Sequence, residues 1–441
     1  MTVPSSKLDS KLLGDTAWNY GAFAVMAATG VILNFFIAIR FGIETLGVFN
    51  QIYAVYIVAA QLAVFGIHDS AQKYIAEHAD DQASGRAIGR AAVLLAFAIG
   101  LGVALAVYLA SGWIGHIADS PPVGLGIELA APGLLFFSVN KVLMGILNGD
   151  RRMKAFALAQ IGRVLAILAF ALIIAFESWP GYLLGVVFTA AEVVLLPVLL
   201  ALVKPWRRDA GGETAGAAGI WRRKHLDFGI KALPNGFLAE SYVRVDVLML
   251  MVFVGDAAVG VYSFAAMFVE GLYQVPVVLR TVINPVLVRL VDAGEKIELA
   301  RFGRKIMAMS LGMFAAAAGL VMVIFPYLEP FFPDGLVSGA YPILVTICMG
   351  LAVYAAFVPL DFILMQAGLP GWQSGLMTLN ICLNAALNLA LIPIYGISGA
   401  AMATATAFAL STVTLNILVW RRLGLKGGLL FAGTRVAPFD A

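Results

Sequence analysis

The sequence contains few of the residues on which soluble, disulfide-bonded and metal-dependent proteins rely. Only 12% of its 441 residues are charged, and it has two cysteines and four histidines. Both cysteines, Cys348 and Cys382, lie within apolar stretches, so no disulfide framework is expected. No P-loop sequence (GxxxxGKS or GxxxxGKT) occurs, which excludes an ATP-driven pump of that kind. The histidines and acidic residues between 68 and 81 lack ligand spacing on one face, so we predict no metal site and no cofactor.

Apolar residues dominate instead. They make up 61% of the chain, whose mean hydropathy is +0.92. Stretches of about 20 apolar residues, long enough to cross the hydrocarbon of a bilayer, occur about twelve times. The sequence therefore predicts an all-α polytopic membrane protein with twelve transmembrane helices.

The distribution of basic residues predicts the orientation of these helices. Loops on one side of the membrane follow spans one, three, five, seven, nine and eleven. Of the 29 lysines and arginines, Arg40 alone lies in these loops. By the positive-inside rule, both termini are cytoplasmic. Topology and contact with anionic lipid explain these cations, so a nucleic acid partner is not indicated. The outward loops are short, which disfavours an enzyme acting on lipid-linked sugars outside the membrane.

A polar segment divides the spans six and six. We predict an N-terminal six-helix lobe at 1–203, a cytoplasmic basic, amphipathic linker at 204–226 and a C-terminal six-helix lobe at 227–441. Tryptophans beside basic residues indicate that the linker lies on the inner membrane surface, with Trp221 as one anchor. Six spans per half give both halves the same orientation. The expected symmetry is thus a pseudo-two-fold axis along the membrane normal, with substrate held between the lobes.

Polar side chains inside the spans are the candidate site residues, because an ionised group at the bilayer centre costs several kcal/mol unless it faces a cavity, pairs or is neutral. In span seven, helical phase predicts one stripe of four polar residues: Lys231, Asn235, Tyr242 and Asp246. Glu240 and Arg244 lie nearly opposite, and their four-residue spacing would let them neutralise each other. Glu270 in span eight would either neutralise a cation on span seven or take up a proton.

Other candidates leave two interpretations open. Lys141 and Arg280 lie at comparable depths in opposite halves, and they would either receive an anionic headgroup or snorkel to the inner interface. Glu192 and Asp361 would be coupling carboxylates or neutral, hydrogen-bonded acids. Asn384 belongs to a row of amides on span eleven that would bind sugar hydroxyls or join helices.

Four blocks of the sequence carry a family resemblance. In chain order, they are FGIETLGVFNQIYAVYIVAAQLAVFGIHDSAQKYIAEH, LLFFSVNKVLMGILNGDRRMKAFALAQIGR, VRVDVLML with VGVYSFAAMF, and LNICLNAALNLALIPIYGISGAAMATATA. These blocks resemble bacterial polysaccharide flippases, a family of the exporter superfamily that also contains multidrug and toxin extruders and the peptidoglycan-precursor flippase. The resemblance implies a V-shaped, alternating-access flippase in the bacterial inner membrane. Its implied substrate is undecaprenyl-pyrophosphate-linked oligosaccharide for surface polysaccharide biosynthesis.

This resemblance gives roles to the candidates. The diphosphate needs cations, here Lys141, Arg244 and Arg280, and the sugars need polar partners: Asn140, Tyr242, Asp246, Glu270 and Asn384. Arg40 would meet the phosphate late in the cycle or act only at the surface. The resemblance also implies a monomer that works beside a polysaccharide polymerase and chain-length machinery.

The alternative function is a cation-coupled multidrug or toxin antiporter of the same superfamily. Those extruders usually carry an acidic coupling residue in the first helix, where this sequence offers Asn19 and Asn34.

Overall fold

The computed structural model describes residues 5–204, 215–294, 296–425 and 429, and these residues form helices and connecting turns without strands. The first seven helices are α1 (Ser5–Phe41), α2 (Ile43–Val64), α3 (Ile67–Glu77), α4 (Gln82–Ile117), α5 (Pro121–Gly149), α6 (Met153–Phe176) and α7 (Val186–Val203). The next six are α8 (Ala215–Phe253), α9 (Asp256–Asp292), α10 (Lys296–Ile324), α11 (Leu336–Ala355), α12 (Ile363–Gln366) and α13 (Pro370–Leu423).

Ten helical segments in the described ranges are long and apolar enough to cross a membrane, two fewer than the twelve that the sequence predicts. One difference is α13, whose 54 residues would extend roughly 80 Å at 1.5 Å per residue. Gly396, with φ 57° and ψ −134°, breaks this helix, and each arm is long enough to cross about 30 Å of hydrocarbon. The other is α8, which is too polar to count as an apolar span because it includes Lys231, Arg244 and Asp246. All-α, multi-pass architecture is confirmed.

The chain forms two compact units, Met1–Glu240 (unit 1) and Ser241–Ala441 (unit 2). In unit 1, α5 lies at the centre and packs against α2, α3, α4 and α7. In unit 2, α11 packs against α9 and α13. The sequence predicts that the linker ends and the C-terminal lobe begins at residue 227. In the structure, α8 continues through this position without interruption.

The first half of α8 is fixed to α3 in unit 1. Residues 205–214 of the predicted linker lie outside the described ranges. Trp221 is only 8% exposed, and its ring lies 5.5 Å from that of Tyr74 and 5.1 Å from that of His78. The prediction that Trp221 anchors the linker in the membrane surface is therefore wrong, because this side chain is packed into the core of unit 1.

His225, one helical turn after Trp221, is fully buried in the same contact. Its Nε2 lies 3.2 Å from the carbonyl oxygen of Ile88, which can only accept, so Nε2 carries the proton and Nδ1 accepts from Ser70 Oγ at 2.7 Å. Burial lowers the pKa of His225 from 6.5 to about 4. The imidazole is therefore neutral near pH 7.

We expect acid to detach this segment of α8. Because the folded-state pKa of His225 lies below the unfolded value, its contribution is complete above about pH 6.5 and is lost as the pH falls towards 4. The loss amounts to roughly 3 kcal/mol. Hydrogen exchange of residues 219–230 between pH 7 and pH 4.5 measures it. His225→Gln cannot titrate and should flatten the pH dependence, while an unchanged dependence in that variant would show that another group, such as His68, is responsible.

A close helix contact in unit 2 gives a second stability prediction. A Cβ at Gly350 on α11 would overlap the Cα and Cβ of Ala405 on α13. Gly350→Val should therefore separate the two helices and destabilise unit 2 by about 3 kcal/mol. Thermal unfolding in detergent measures the change, with Gly319→Val on α10 as control because that position has open space around it. Equal melting temperatures for the two variants would contradict the prediction.

Candidate substrate site

Unit 1 contains a buried charged cluster contributed by α5, α6 and α7. Asn140 on α5 donates from Nδ2 to the carbonyl oxygen and to Oε2 of Glu192 on α7, both at 2.8 Å. Arg163 on α6 places Nη1 3.7 Å from Oε1 of Glu192. The sequence pattern predicts Asn140 and Glu192 as site residues but not Arg163. A lone arginine at the middle of an apolar span was the signal available for it.

Aromatic rings border this cluster. Phe188, one turn before Glu192, stacks on Tyr56 at 4.9 Å, on Phe49 at 5.5 Å and on Tyr53 at 5.7 Å, all three from α2. The guanidinium of Arg163 lies 5.1 Å from the ring centre of Phe137, where a cation–π contact partly replaces its lost hydration. The cluster is thus a polar site enclosed by rings.

Lys141 follows Asn140 on α5 and differs from the other predicted cations. Its side chain is half-buried, and within the part of the chain that the structure describes no carboxylate lies within 4 Å of its ammonium group. Arg163 and Glu192 both act on it electrostatically. Lys141 therefore has positive charge that a ligand could neutralise.

A second polar cluster lies in unit 2 around Asp246 of α8. Its Oδ2 accepts from Thr404 Oγ1 at 2.6 Å and from the Tyr262 hydroxyl at 2.7 Å. Its Oδ1 accepts from Asn388 Nδ2 at 2.7 Å and from Asn384 Nδ2 at 3.1 Å. Four donors from α9 and α13 thus satisfy one buried carboxyl group.

A cavity of about 190 Å³ adjoins this cluster. Its polar lining comprises Asp246, Tyr262, Glu270, Tyr273, Gln274, Asn384 and Thr404. Hydroxyl, amide and carboxyl groups of this kind can hydrogen-bond to sugars. The structure therefore brings together three of the predicted site residues, Asp246, Glu270 and Asn384.

The other two predicted cations form ion pairs within unit 2. Arg244 Nη1 donates to Glu270 Oε1 at 3.0 Å, which is the interhelical pairing the sequence left open for Glu270. Arg280 Nη1 donates to both carboxylate oxygens of Asp361 at 3.0 Å, and Tyr354 adds a hydrogen bond of 3.3 Å. Each guanidinium thus has a nearby carboxylate, and the anion-binding role of both residues stays a prediction.

Among the remaining predicted residues, Lys231 and Arg40 have side chains that the structure describes. Lys231 is exposed on the part of α8 in unit 1, whereas Asp246 lies in unit 2. The side chains of Asn235 and Tyr242 lie outside those described. Arg40 donates from Nη2 to the carbonyl oxygen of Ala175 at 3.2 Å, and this oxygen also accepts from the backbone N–H of Ser178 at the end of α6.

Comparison with known proteins supports one family. None of the curated proteins matches the chain. Among solved structures, an inward-facing multidrug resistance MATE family transporter of the MOP superfamily has a TM-score of 0.72 at 12% identity, covering 90% of this chain and 94% of that one. The lipid II flippase MurJ, in an inward closed conformation, has a TM-score of 0.70 at 14% identity, covering 90% and 86%. A MOP superfamily transporter from Pyrococcus furiosus has a TM-score of 0.54 at 13% identity, covering 91% of this chain and 94% of that one.

These likenesses show a fold shared with the MATE and MurJ transporters. The model of the family described as polysaccharide biosynthesis protein matches residues 12–291, more than half of the chain. The chain belongs to the polysaccharide biosynthesis protein family.

Proposed function

We propose that the chain is a flippase that moves undecaprenyl-pyrophosphate-linked oligosaccharide across the bacterial inner membrane for surface polysaccharide biosynthesis. Family membership and the fold shared with a lipid II flippase support this substrate class. In the proposed arrangement, twelve spans in two lobes provide alternating access, and both termini lie in the cytoplasm. The lipid tail stays in the bilayer while the diphosphate and sugars cross within the protein.

One observation carries the proposal to particular residues. Lys141 is a half-buried cation inside a membrane-spanning helix without a carboxylate in ion-pair distance among the described residues. Such a cation is costly unless an anion reaches it. A diphosphate supplies that anion, so we assign phosphate binding to Lys141. Within unit 2, the cavity beside Asp246 and Asn384 offers groups that can hydrogen-bond to sugar hydroxyls.

Deletion of the gene tests the proposed function. We expect surface polysaccharide to be lost while lipid-linked intermediates accumulate in the inner leaflet, because assembly of the intermediate precedes its transfer. Extraction of lipid-linked oligosaccharides and staining of surface glycan measure the two quantities, and the wild-type gene on a plasmid should restore both. Unchanged surface glycan would contradict the proposal.

The alternative is a cation-coupled multidrug or toxin antiporter, which the fold shared with a multidrug resistance transporter favours. The same deletion strain separates the two. A drug antiporter predicts altered dye or drug accumulation with normal glycan, whereas a flippase predicts the reverse.

A further inference from the structure

The ion pair between Arg163 and Glu192 is held unequally at its two ends. Asn140 fixes the Glu192 carboxylate with a hydrogen bond of 2.8 Å, and the Glu192 side chain is 3% exposed. The Arg163 side chain is 18% exposed, and its Nη1 lies 3.7 Å from the carboxylate, beyond hydrogen-bonding distance. That nitrogen is buried and has no hydrogen-bond partner in the described part of the chain. The guanidinium is therefore the end that can change partners.

The groups around Glu192 leave positive charge uncompensated. Arg163 and Lys141 are the cations that act on it, from α6 and α5. Tyr56, with Tyr53 behind it on α2, is the remaining titratable group facing the cluster. Asp69 and Glu240 also attract Lys141, but neither is within ion-pair distance. Two cations thus share one deeply buried carboxylate.

Besides Arg163 Nη1, two buried polar atoms of the cluster lack partners among the residues that the structure describes. The Tyr56 hydroxyl has none among the described residues, and Tyr56 is only 4% exposed. Asn140 Oδ1 is likewise unpartnered, in a side chain with no exposure. Buried polar atoms of this kind are uncommon unless a ligand, an ion or water completes them. They are an independent indication that this cluster receives another group.

We propose that Arg163 is a second diphosphate-binding residue, and that it exchanges Glu192 for a phosphate oxygen when the ligand reaches Lys141. The carboxylate of Glu192, still held by Asn140, then takes up one proton from the cytoplasmic water. This inference rests on the proposed function. One phosphate charge replaces the carboxylate charge as partner of Arg163, and the incoming proton neutralises Glu192.

The exchange follows from the strengths of the competing contacts. A guanidinium binds phosphate through two parallel hydrogen bonds, which are stronger than a single contact at 3.7 Å. A carboxylate that loses its cation in a low-dielectric interior is strongly disfavoured as an anion, so it binds a proton. Ligand binding and proton uptake are thereby linked at one pair of side chains.

The experiment measures binding of undecaprenyl diphosphate to the full-length protein in lipid nanodiscs between pH 6 and pH 8, with proton uptake followed by a pH-sensitive dye. We expect Glu192→Gln to bind roughly tenfold tighter than wild type at pH 7.5, because Arg163 is released from its competitor. Ionisation of the probe affects both proteins equally. Relative to this variant, wild-type affinity should fall as the pH rises, since only wild type must take up a proton.

Two further variants test the arginine. Arg163→Gln should bind the probe about tenfold more weakly than wild type. Arg163→Lys keeps the charge but not the paired hydrogen bonds, and it replaces the glutamine variant if that variant fails to insert. Glu298→Gln is the matched control, because Glu298 pairs with Arg301 at an exposed position. His68 near Lys141 has its pKa lowered by burial to about 4, so it does not titrate in this range.

The outcomes separate the inference from the proposed function. Equal affinities and equal pH slopes for wild type and Glu192→Gln, with binding still dependent on Lys141, would overturn the exchange and leave the flippase proposal standing. Failure of inserted wild-type protein to bind the probe at any pH would overturn the proposed function and, with it, the exchange.

Discussion

Lys141→Gln should reduce the affinity for undecaprenyl diphosphate about thirtyfold and bring lipid-linked oligosaccharide transfer to background. The half-buried ammonium group has no carboxylate in ion-pair distance among the described residues, so the diphosphate would be its main partner. Removing one member of such a charge pair costs about 2 kcal/mol or more. Titration of the probe into nanodiscs measures the affinity, and recovery of surface glycan in the deletion strain measures transfer.

Two controls make this result specific. Lys141→Arg keeps the charge and should retain most of the affinity. Lys305→Gln removes an exposed lysine from α10 and should change neither quantity. If inserted Lys141→Gln restores glycan as well as wild type does, the diphosphate is bound elsewhere, and the assignment of Lys141 is wrong.

Asp246→Leu should have the largest effect on unit 2. The substitution removes the acceptor of four hydrogen bonds. Asn388 Nδ2 keeps its bonds to Asn384, whereas the donors of Tyr262, Asn384 and Thr404 lose their carboxylate acceptor. At about 1–3 kcal/mol for each such group, we expect a loss of about 4 kcal/mol, or roughly 10 °C in melting temperature, together with loss of transfer. Thermal unfolding in detergent measures the first effect.

Asp246→Asn separates the hydrogen bonds from the charge. The amide keeps one acceptor oxygen, so the melting temperature should fall by less than half as much as with leucine. Loss of transfer in this folded variant would show that the carboxyl group itself is required. Glu298→Leu, at an exposed site, is the control for introducing leucine. A melting temperature equal to that of wild type in Asp246→Leu would contradict the hydrogen-bond account.

Hydropathy was sufficient to predict the fold class. A long apolar segment in hydrocarbon is stable only if its backbone N–H and C=O groups bond to one another, as they do in a helix. Hydropathy overestimated the number of helices that qualify as spans on apolarity alone. The discrepancy arose where charged residues lie within a helix, at Arg244 and Asp246 of α8, and where one glycine, Gly396, bends a continuous helix. The charged residues and the glycine are visible in the sequence, but the contacts of the charges and the bend at the glycine are visible only in the structure.

Helical phase identified polar residues but not their partners. It placed Asp246 and Asn384 among the candidates, yet their contact joins residues 138 positions apart. It offered Glu240 as the partner of Arg244, and the structure shows a bond to Glu270, which the sequence raised as a possibility for a cation on span seven. Arg163 was missed although it is an arginine in the middle of an apolar helix, because its partner Glu192 lies on α7 and helical phase within α6 gives no sign of that contact.

Tertiary packing also overrode a membrane rule at Trp221. A tryptophan beside arginines at the end of a span is typical of an interfacial anchor. Here Tyr74, His78 and buried His225 provide a protein surface for the same ring. The rule describes residue preferences in lipid and contains no information on which helix lies nearby.

Reconstituted transfer tests the central claim most directly. The purified protein would be inserted into liposomes carrying a fluorescent undecaprenyl-diphosphate-linked oligosaccharide, and a membrane-impermeant quencher would report how much of it changes leaflet. We predict transfer by wild type, background rates with Lys141→Gln and wild-type rates with Lys305→Gln. No transfer by inserted wild-type protein that nevertheless exports a cationic dye would contradict the flippase account.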